Sequence, residues 1–221
     1  MPRKRRIVLP NVAHHITQRG NYKQAIFKEE KDYKKYCTLI NEYSLKYKIK
    51  ILAYCLMSNH VHFIIIPFDE KSLAKVFSVV HMRYSQYINK MKAEAGHLWQ
   101  GRFYSCMLDE VHLYRAIRYV EQNPVRAKIE RKSWDYRWSS AMEHSGEGRS
   151  DIILDKTTNI HVEGGINWKE YLEEEDKEIT EEMRTKTNKG LAVGTENFIK
   201  KLEKELNVSL ASKNPGRPCK Q

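Results

Sequence analysis

Strand-like and helix-like periodicities alternate along the first half of the chain, and this order constrains the fold more than any other feature. Alternating or short apolar runs predict strands at residues 12–19, 49–57, 60–66 and within 99–108. Apolar residues at helical spacing predict helices at 29–47, 72–91 and 110–122. Ser58 and Asn59 predict a hairpin turn between the second and third strands. This order predicts an α+β fold: a ferredoxin-like βαββαβ antiparallel sheet with helices packed on one face and one further helix appended.

Composition places this sheet in a soluble domain with an appendage. The chain has 221 residues, 41% apolar and 30% charged, which excludes a disordered tract and a membrane protein. Its four scattered cysteines form no CxxC pair, so we expect a reducing, cytoplasmic environment. The composition changes after about residue 145. We therefore predict a first domain at 1–145 and a helical extension at 146–221 with a basic Gly-Arg-Pro tail.

The net charge of +11 is unevenly distributed. Residues 1–150 hold 27 Lys and Arg against 14 Asp and Glu, whereas residues 151–221 hold 12 against 14. The basic excess indicates that the first domain binds a polyanion, which could be DNA, RNA or acidic lipid; ordinary solubility charge is the alternative. Within the extension, the acidic stretch 163–182 is predicted to be a solvated face, and shielding of the basic groove is a further hypothesis.

Two histidines on the third predicted strand are candidate metal ligands. Side chains alternate along a strand, so His60 and His62 share one face and Val61 points to the other. Two adjacent neutral imidazoles can bind one divalent metal. The alternative is a pair of structural histidines in an apolar strand.

The third predicted helix places a tyrosine among polar residues. On a helical wheel Tyr119 lies off the apolar stripe, and Asn123 is its i+4 neighbour. The alternative is a half-buried aromatic followed by a C-terminal cap. A tyrosine hydroxyl can attack a phosphodiester and form a covalent phosphotyrosine bond. A metal held by the two imidazoles and the Asn123 oxygen would stabilise the charge on the phosphate oxygens.

These motifs resemble those of the REP-associated tyrosine transposases, relatives of the single-tyrosine HUH transposases of insertion sequences. His60-Val61-His62 matches the HUH motif, and residues 118–127 (RYVEQNPVRA) resemble the tyrosine helix. Further matches are Gln18-Arg19-Gly20-Asn21, Met57-Ser58-Asn59-His60, Trp99-Gln100-Gly101-Arg102-Phe103 and Trp138-Ser139-Ser140, and the resemblance covers residues 5–142.

The resemblance implies an activity and a set of site residues. Tyr119 would be the nucleophile, with His60, His62 and Asn123 as ligands of Mg²⁺ or Mn²⁺ and no small-molecule cofactor. The related insertion-sequence enzymes often have glutamine where Asn123 stands. The enzyme would nick and join single-stranded DNA carrying a REP-like hairpin through a 5′-phosphotyrosine, without ATP, and would be nucleoid-associated. Related enzymes form dimers that share active sites, so a homodimer is one expected assembly.

Several arginines within or beside these motifs are candidate DNA contacts. Arg115 lies one turn before Tyr119, where its forked guanidinium could hold a phosphate. An extended Arg217 in the Gly-Arg-Pro tail could enter an A·T minor groove. The full set of predicted DNA-binding residues is Arg5, Arg6, Arg19, Arg102, Arg115, Arg118, Arg126 and Arg217. The alternative functions are a domesticated, non-catalytic DNA or RNA hairpin-binding protein, an HUH replication initiator and, more distantly, a phosphohydrolase.

Overall fold

The computed structural model describes residues 6–157 and 167–208 of the chain. Arg5, Arg217 and the predicted Gly-Arg-Pro tail lie outside the described residues. The first part of the chain contains β1 (Ala13–Arg19), α1 (Glu30–Lys46), β2 (Ile49–Met57), β3 (His60–Pro67), α2 (Ser72–Lys92), β4 (Tyr104–Leu108) and α3 (Glu110–Glu121), in that order. The four strands form one antiparallel sheet, in which their spatial order is β2-β3-β1-β4. This order confirms the predicted ferredoxin-like sheet with an added helix.

The sheet carries helices on both faces rather than one. On the first face, α1 and α2 pack with Ile16 of β1 and Phe63 of β3 in a large apolar core. On the second face, α3 packs through Leu113, Ile117 and Val120 against side chains of β2, β3 and β4. Because side chains alternate along β1, Ile16 points to the first face and its neighbour His15 to the second. The candidate site residues lie on the second face.

The end of α3 shows how the chain enters the next segment. Asp109 caps the helix by accepting a hydrogen bond from the His112 backbone N–H at 2.8 Å. A short helix, α4 (Asn123–Arg126), follows almost immediately. Pro124 lies in its first turn, where the missing backbone N–H has no helical partner to lose.

The extension is helical where it is described, and it packs on the first domain. After α5 (Ala141–His144) it contains α6 (Trp168–Glu173), α7 (Lys177–Lys189) and α8 (Glu196–Leu206). Trp168, Tyr171, Ile179 and Met183 are buried in the same core as α3. The domain boundary at residue 145 stays a prediction. Neither described range contains a helix long and apolar enough to cross a membrane.

The acidic stretch is more than the solvated face that its composition predicted. Asp176 caps α7 and accepts hydrogen bonds from Arg115 Nε at 2.8 Å and from Arg118 Nη2 at 2.8 Å. Glu174 accepts a further bond from Arg118 Nη1 at 2.9 Å. Arg115 and Arg118 therefore each hold a carboxylate where the sequence predicted a phosphate. The physical reason is that α6 and α7 lie on the face of α3 that the helical wheel placed towards solvent.

Candidate active site

A cavity of about 370 Å³ opens beside the C-terminal half of β1 and the start of β3. It brings together side chains from β1, β3, α3, α4 and α7. Its lining residues include His15, Thr17, Arg19, His60, His62, Tyr119, Asn123, Arg126, Arg184 and Thr187. All four residues predicted for catalysis and metal binding are in this set.

The two histidines of β3 adopt the arrangement that strand alternation predicts. Their ring centroids lie 4.9 Å apart, edge to face. His60 Nδ1 donates a hydrogen bond to Asn59 Oδ1 at 2.5 Å, which leaves Nε2 as the free lone pair. Burial, reinforced by Arg19, lowers the pKa of His60 to about 4. Burial also lowers the pKa of His62 well below its ordinary value. Both rings are therefore neutral at pH 7, the form that binds a metal.

A third histidine, His15, was not predicted as a site residue and holds His62 in place. His15 Nε2 lies 2.9 Å from His62 Nδ1, and the two rings stack at 5.2 Å. On its other side, His15 Nδ1 lies 2.8 Å from the hydroxyl oxygen of Thr187 on α7. When His15 donates to Thr187 and accepts from His62, the Nε2 atom of His62 carries a free lone pair. The Thr187 hydroxyl can then donate to the Cys106 sulfur, 3.1 Å away.

Tyr119 lies within the same chain's histidine cluster. Its ring centroid is 6.0 Å from that of His62 and 5.6 Å from that of His15, edge to face in both cases. The side chain is 4% exposed, so it is more buried than its polar helix face predicted. The reason is α7, which lies over this face of α3 and contributes Met183 and Arg184 to the cavity wall.

Two guanidinium groups flank the Tyr119 phenol. Arg126 Cζ lies 4.4 Å from the ring centroid, and its Nη2 donates to the Tyr119 carbonyl oxygen at 2.5 Å. Arg184 of α7 acts on the phenol as a hydrogen-bond donor. Burial raises the pKa of Tyr119 above its ordinary value, and Arg126 and Arg184 act in the opposite direction. The site therefore contains cationic groups that stabilise a phenolate in an apolar setting.

Asn123 caps the end of α3 and still presents an oxygen. Its Nδ2 atom donates to the carbonyl oxygens of Tyr119 at 3.2 Å and Val120 at 2.9 Å. These two bonds orient the side-chain amide, and they use only its nitrogen. The Oδ1 atom is left for a ligand in the cavity. The capping role and the ligand role predicted from the sequence are therefore compatible.

The chain matches a known protein family in sequence. The family model described as "Transposase IS200 like" matches residues 9–123, which is more than half of the chain. The chain belongs to the IS200-like transposase family. All four predicted catalytic and ligand residues lie within the matched segment, with Asn123 as its last residue. No curated protein sequence matches this transposase significantly.

The solved structures that match this chain include two transposases. A REP-associated tyrosine transposase bound to a REP hairpin is 16% identical, with a TM-score of 0.57 over 75% of this chain and 98% of the other. A putative transposase from Deinococcus radiodurans R1 is 17% identical, with a TM-score of 0.37 over 55% of this chain and 97% of the other. At these identities the first match supports the fold.

The donor set of the transposase fits a divalent metal with open positions. Two neutral imidazole nitrogens and one amide oxygen suit Mn²⁺, and they leave sites for phosphate oxygens and water. Residues 6–157 and 167–208 contain no cluster of three or more His, Cys, Asp or Glu side chains that could hold a metal. Any metal at this site would therefore depend on the amide of Asn123 and on the substrate to complete its coordination.

The six predicted DNA-binding arginines that lie within the described residues fall into three groups. Arg19 and Arg126 line the candidate active site. Arg115 and Arg118 are paired with carboxylates of the extension. Arg6 and Arg102 line a second cavity on the other face of the sheet.

Proposed function

We propose that this transposase cleaves and rejoins single-stranded DNA, with Tyr119 as the nucleophile. The single observation that carries the proposal is that Tyr119, His60, His62 and Asn123 line one cavity within one chain. In the cleavage step, Tyr119 Oη attacks the phosphorus, an O–P bond forms, and the bond from phosphorus to the 3′-oxygen breaks. The phenol loses its proton, and the departing 3′-oxygen gains one. The products are a 5′-phosphotyrosine and a free 3′-OH, which can attack a second phosphotyrosine and rejoin strands.

The arginines of the cavity supply positive charge both to the attacking phenolate and to the phosphate. Arg126 and Arg184 stabilise the phenolate of Tyr119 as it forms. Arg19 lies where it can bind a phosphate beside the histidines. Bound Mg²⁺ or Mn²⁺, held by His60, His62 and Asn123, would supply Lewis-acid stabilisation of the phosphate oxygens. The burial of the Tyr119 side chain makes the charges next to it more effective than they would be in water.

The proposed substrate is a REP-like hairpin with a single-stranded flank. The structure that this fold resembles is described as bound to a REP hairpin. The sequence motifs of residues 5–142 resemble those of the same class of protein. Because Tyr119 and His62 of one chain share a cavity, we propose that the site works within one chain. A homodimer and association with the nucleoid stay predictions.

The test is a covalent adduct assay with labelled hairpin oligonucleotides and Mn²⁺ or Mg²⁺. Wild type should form an SDS-resistant protein–DNA adduct, and Tyr119→Phe should abolish it while leaving hairpin binding intact. Tyr22→Phe is the control, because Tyr22 is 93% exposed and is the residue most available for adventitious attack. Tight hairpin binding by wild type without any adduct would favour the non-catalytic hairpin-binding alternative. An adduct that persists in Tyr119→Phe would refute the nucleophile assignment.

A further inference from the structure

A second cavity, of about 750 Å³, lies on the α2 face of the sheet, away from the candidate active site. Two of the motifs identified in the sequence meet here. Residues 18–21 contribute Gln18 and Asn21, and residues 99–103 contribute Trp99, Arg102 and Phe103. Arg6 and part of α2 complete the wall. The volume is within the range of small-molecule sites and is sufficient for one nucleotide.

Gln18, in the wall of this cavity, has a side-chain acceptor atom without a hydrogen-bond partner among the described residues. Its side chain is 2% exposed, and its Nε2 atom donates to the Gly101 carbonyl oxygen at 2.7 Å. That bond fixes the amide and directs Oε1 as an acceptor, yet Oε1 has no partner among the described residues. A buried acceptor without a partner is costly in free energy, and a hydrogen-bond donor on a bound ligand would remove that cost.

Cationic donors stand beside that acceptor. The Arg6 guanidinium stacks on the Phe103 ring, 3.7 Å from its centroid, and its Nη1 atom is buried without a partner in the described part of the chain. Burial, together with the nearby charge of Arg102, lowers the pKa of Arg6 to about 10. The described lining of this cavity includes neither Asp nor Glu. Two guanidiniums without a carboxylate are suited to an anion.

Aromatic rings form the remaining wall. Trp99 and His81 stack with their ring centroids 4.1 Å apart, and Phe103 lies beside Phe77 at 5.0 Å. Flat apolar surfaces next to a fixed acceptor and cationic donors match the chemistry of a nucleobase and its phosphate. Guanine in particular carries an oxygen acceptor next to N–H donors on one edge, which pairs with an arginine donor and a glutamine acceptor.

We propose that this cavity binds one unpaired nucleotide of the DNA strand close to the cleaved bond. The base edge of that nucleotide contacts Gln18, and oxygens of the nucleotide contact Arg6 and Arg102. The inference rests on the proposed function and adds a base-reading site to it. β1 connects the two sites, because Gln18 and Arg19 are consecutive and point to opposite faces. A strand that passes over the end of β1 can therefore reach both cavities.

Fluorine NMR of protein labelled with 5-fluorotryptophan tests the inference directly. The probe is dGMP, titrated into the wild-type full chain, with the Trp99 resonance assigned from Trp99→Phe. We expect the Trp99 resonance to shift with dGMP and that of Trp168, on the other face of the sheet, to stay unchanged. Gln18→Met and Arg102→Gln should each weaken dGMP binding about tenfold, as for one lost base contact. Arg102 is exposed, so its replacement leaves the core intact.

The outcomes separate this inference from the proposed function. An equal shift with inorganic phosphate alone, or none with dGMP, would overturn the base-reading site. A second experiment measures hairpin binding by Tyr119→Phe with an abasic site moved along the single-stranded flank. At one position, the abasic site should weaken hairpin binding by Tyr119→Phe. When Gln18→Met is added to Tyr119→Phe, an abasic site at that same position should cause no further loss of affinity. If wild type forms no adduct but Trp99 still responds to dGMP, only the cleavage proposal fails. If adducts form and no abasic position depends on Gln18, only the nucleotide site fails.

Discussion

The hydrogen bonds from Thr187 through His15 to His62 predict that the extension controls metal binding in the first domain. Thr187→Val removes the hydroxyl and nearly preserves the volume, so His15 Nδ1 loses its partner at 2.8 Å. A neutral buried hydrogen bond contributes about 0.5–1.5 kcal/mol, which corresponds to a roughly two- to twelvefold weaker Mn²⁺ affinity if the bond favours the metal-binding tautomer. Thr187→Ser keeps the hydroxyl and should restore most of the affinity.

A larger loss of metal affinity is expected when His15, which contacts the proposed ligand His62 directly, is replaced. His15→Phe keeps an aromatic ring next to Tyr119 but leaves His62 Nδ1 without the partner that lies 2.9 Å away. Removing a partner of a metal-bound imidazole typically weakens metal affinity roughly 10- to 100-fold. His14→Phe is the matched control, because His14 is the buried neighbour that points to the other face of β1.

Titration with Mn²⁺, followed by the EPR signal of the free ion, measures these affinities without DNA or turnover. The expected order of affinity is wild type and His14→Phe, then Thr187→Val, then His15→Phe. Thermal melting of each apo variant shows whether the fold is retained. Wild-type Mn²⁺ affinity in both folded variants, Thr187→Val and His15→Phe, would refute the idea that these hydrogen bonds select the ligand form of His62.

Three further predictions follow from the charged contacts of the site and the extension. Arg184→Met should raise the pKa of Tyr119 and move the pH–rate profile of adduct formation to higher pH. Glu121 is fully buried and accepts bonds from Ser140, His144 and Trp168 Nε1; Glu121→Gln should lower the free energy of unfolding in urea by about 3 kcal/mol. The Arg115 hydrogen bond lowers the pKa of Asp176 from 3.8 to about 2. The contribution of ionised Asp176 to the free energy of unfolding is therefore present above about pH 4 and lost towards pH 2. Asp176→Asn should remove this pH dependence, as measured by urea unfolding at a series of pH values.

The element order was predictable because each strand and helix of the first domain has a strong local periodicity. The fourth strand, predicted as the short run FYSCML within 99–108, is observed at Tyr104–Leu108. The residues before Tyr104 form a loop along the end of β1, where the Gln100 N–H donates to the Arg19 carbonyl oxygen at 2.9 Å.

The site was predictable only where local spacing determines it. His60 and His62 share a strand face, and Tyr119 and Asn123 share a helix surface, so short-range geometry alone placed each pair. His15 and Thr187 are 172 positions apart, and only the register of the sheet and the docking of α7 bring them together. The pair His14-His15 on a predicted strand next to the His60 strand was the available signal. It could not be used without knowing which face of β1 meets α3.

Charge shows most clearly why the sequence and the structure assign different roles to the same residues. The sequence predicted that the arginines of α3 contact DNA and, separately, that the acidic stretch 163–182 is a solvated face. Arg118 has a side chain only 6% exposed and contacts Glu174 and Asp176, so its charge is already neutralised within the chain. The arginines that we expect to contact DNA are therefore Arg19, Arg126 and Arg184 around the proposed nucleophile, and Arg6 and Arg102 in the second cavity. Because the two groups lie on opposite faces of the sheet, we expect a single strand of DNA to contact the protein at two points.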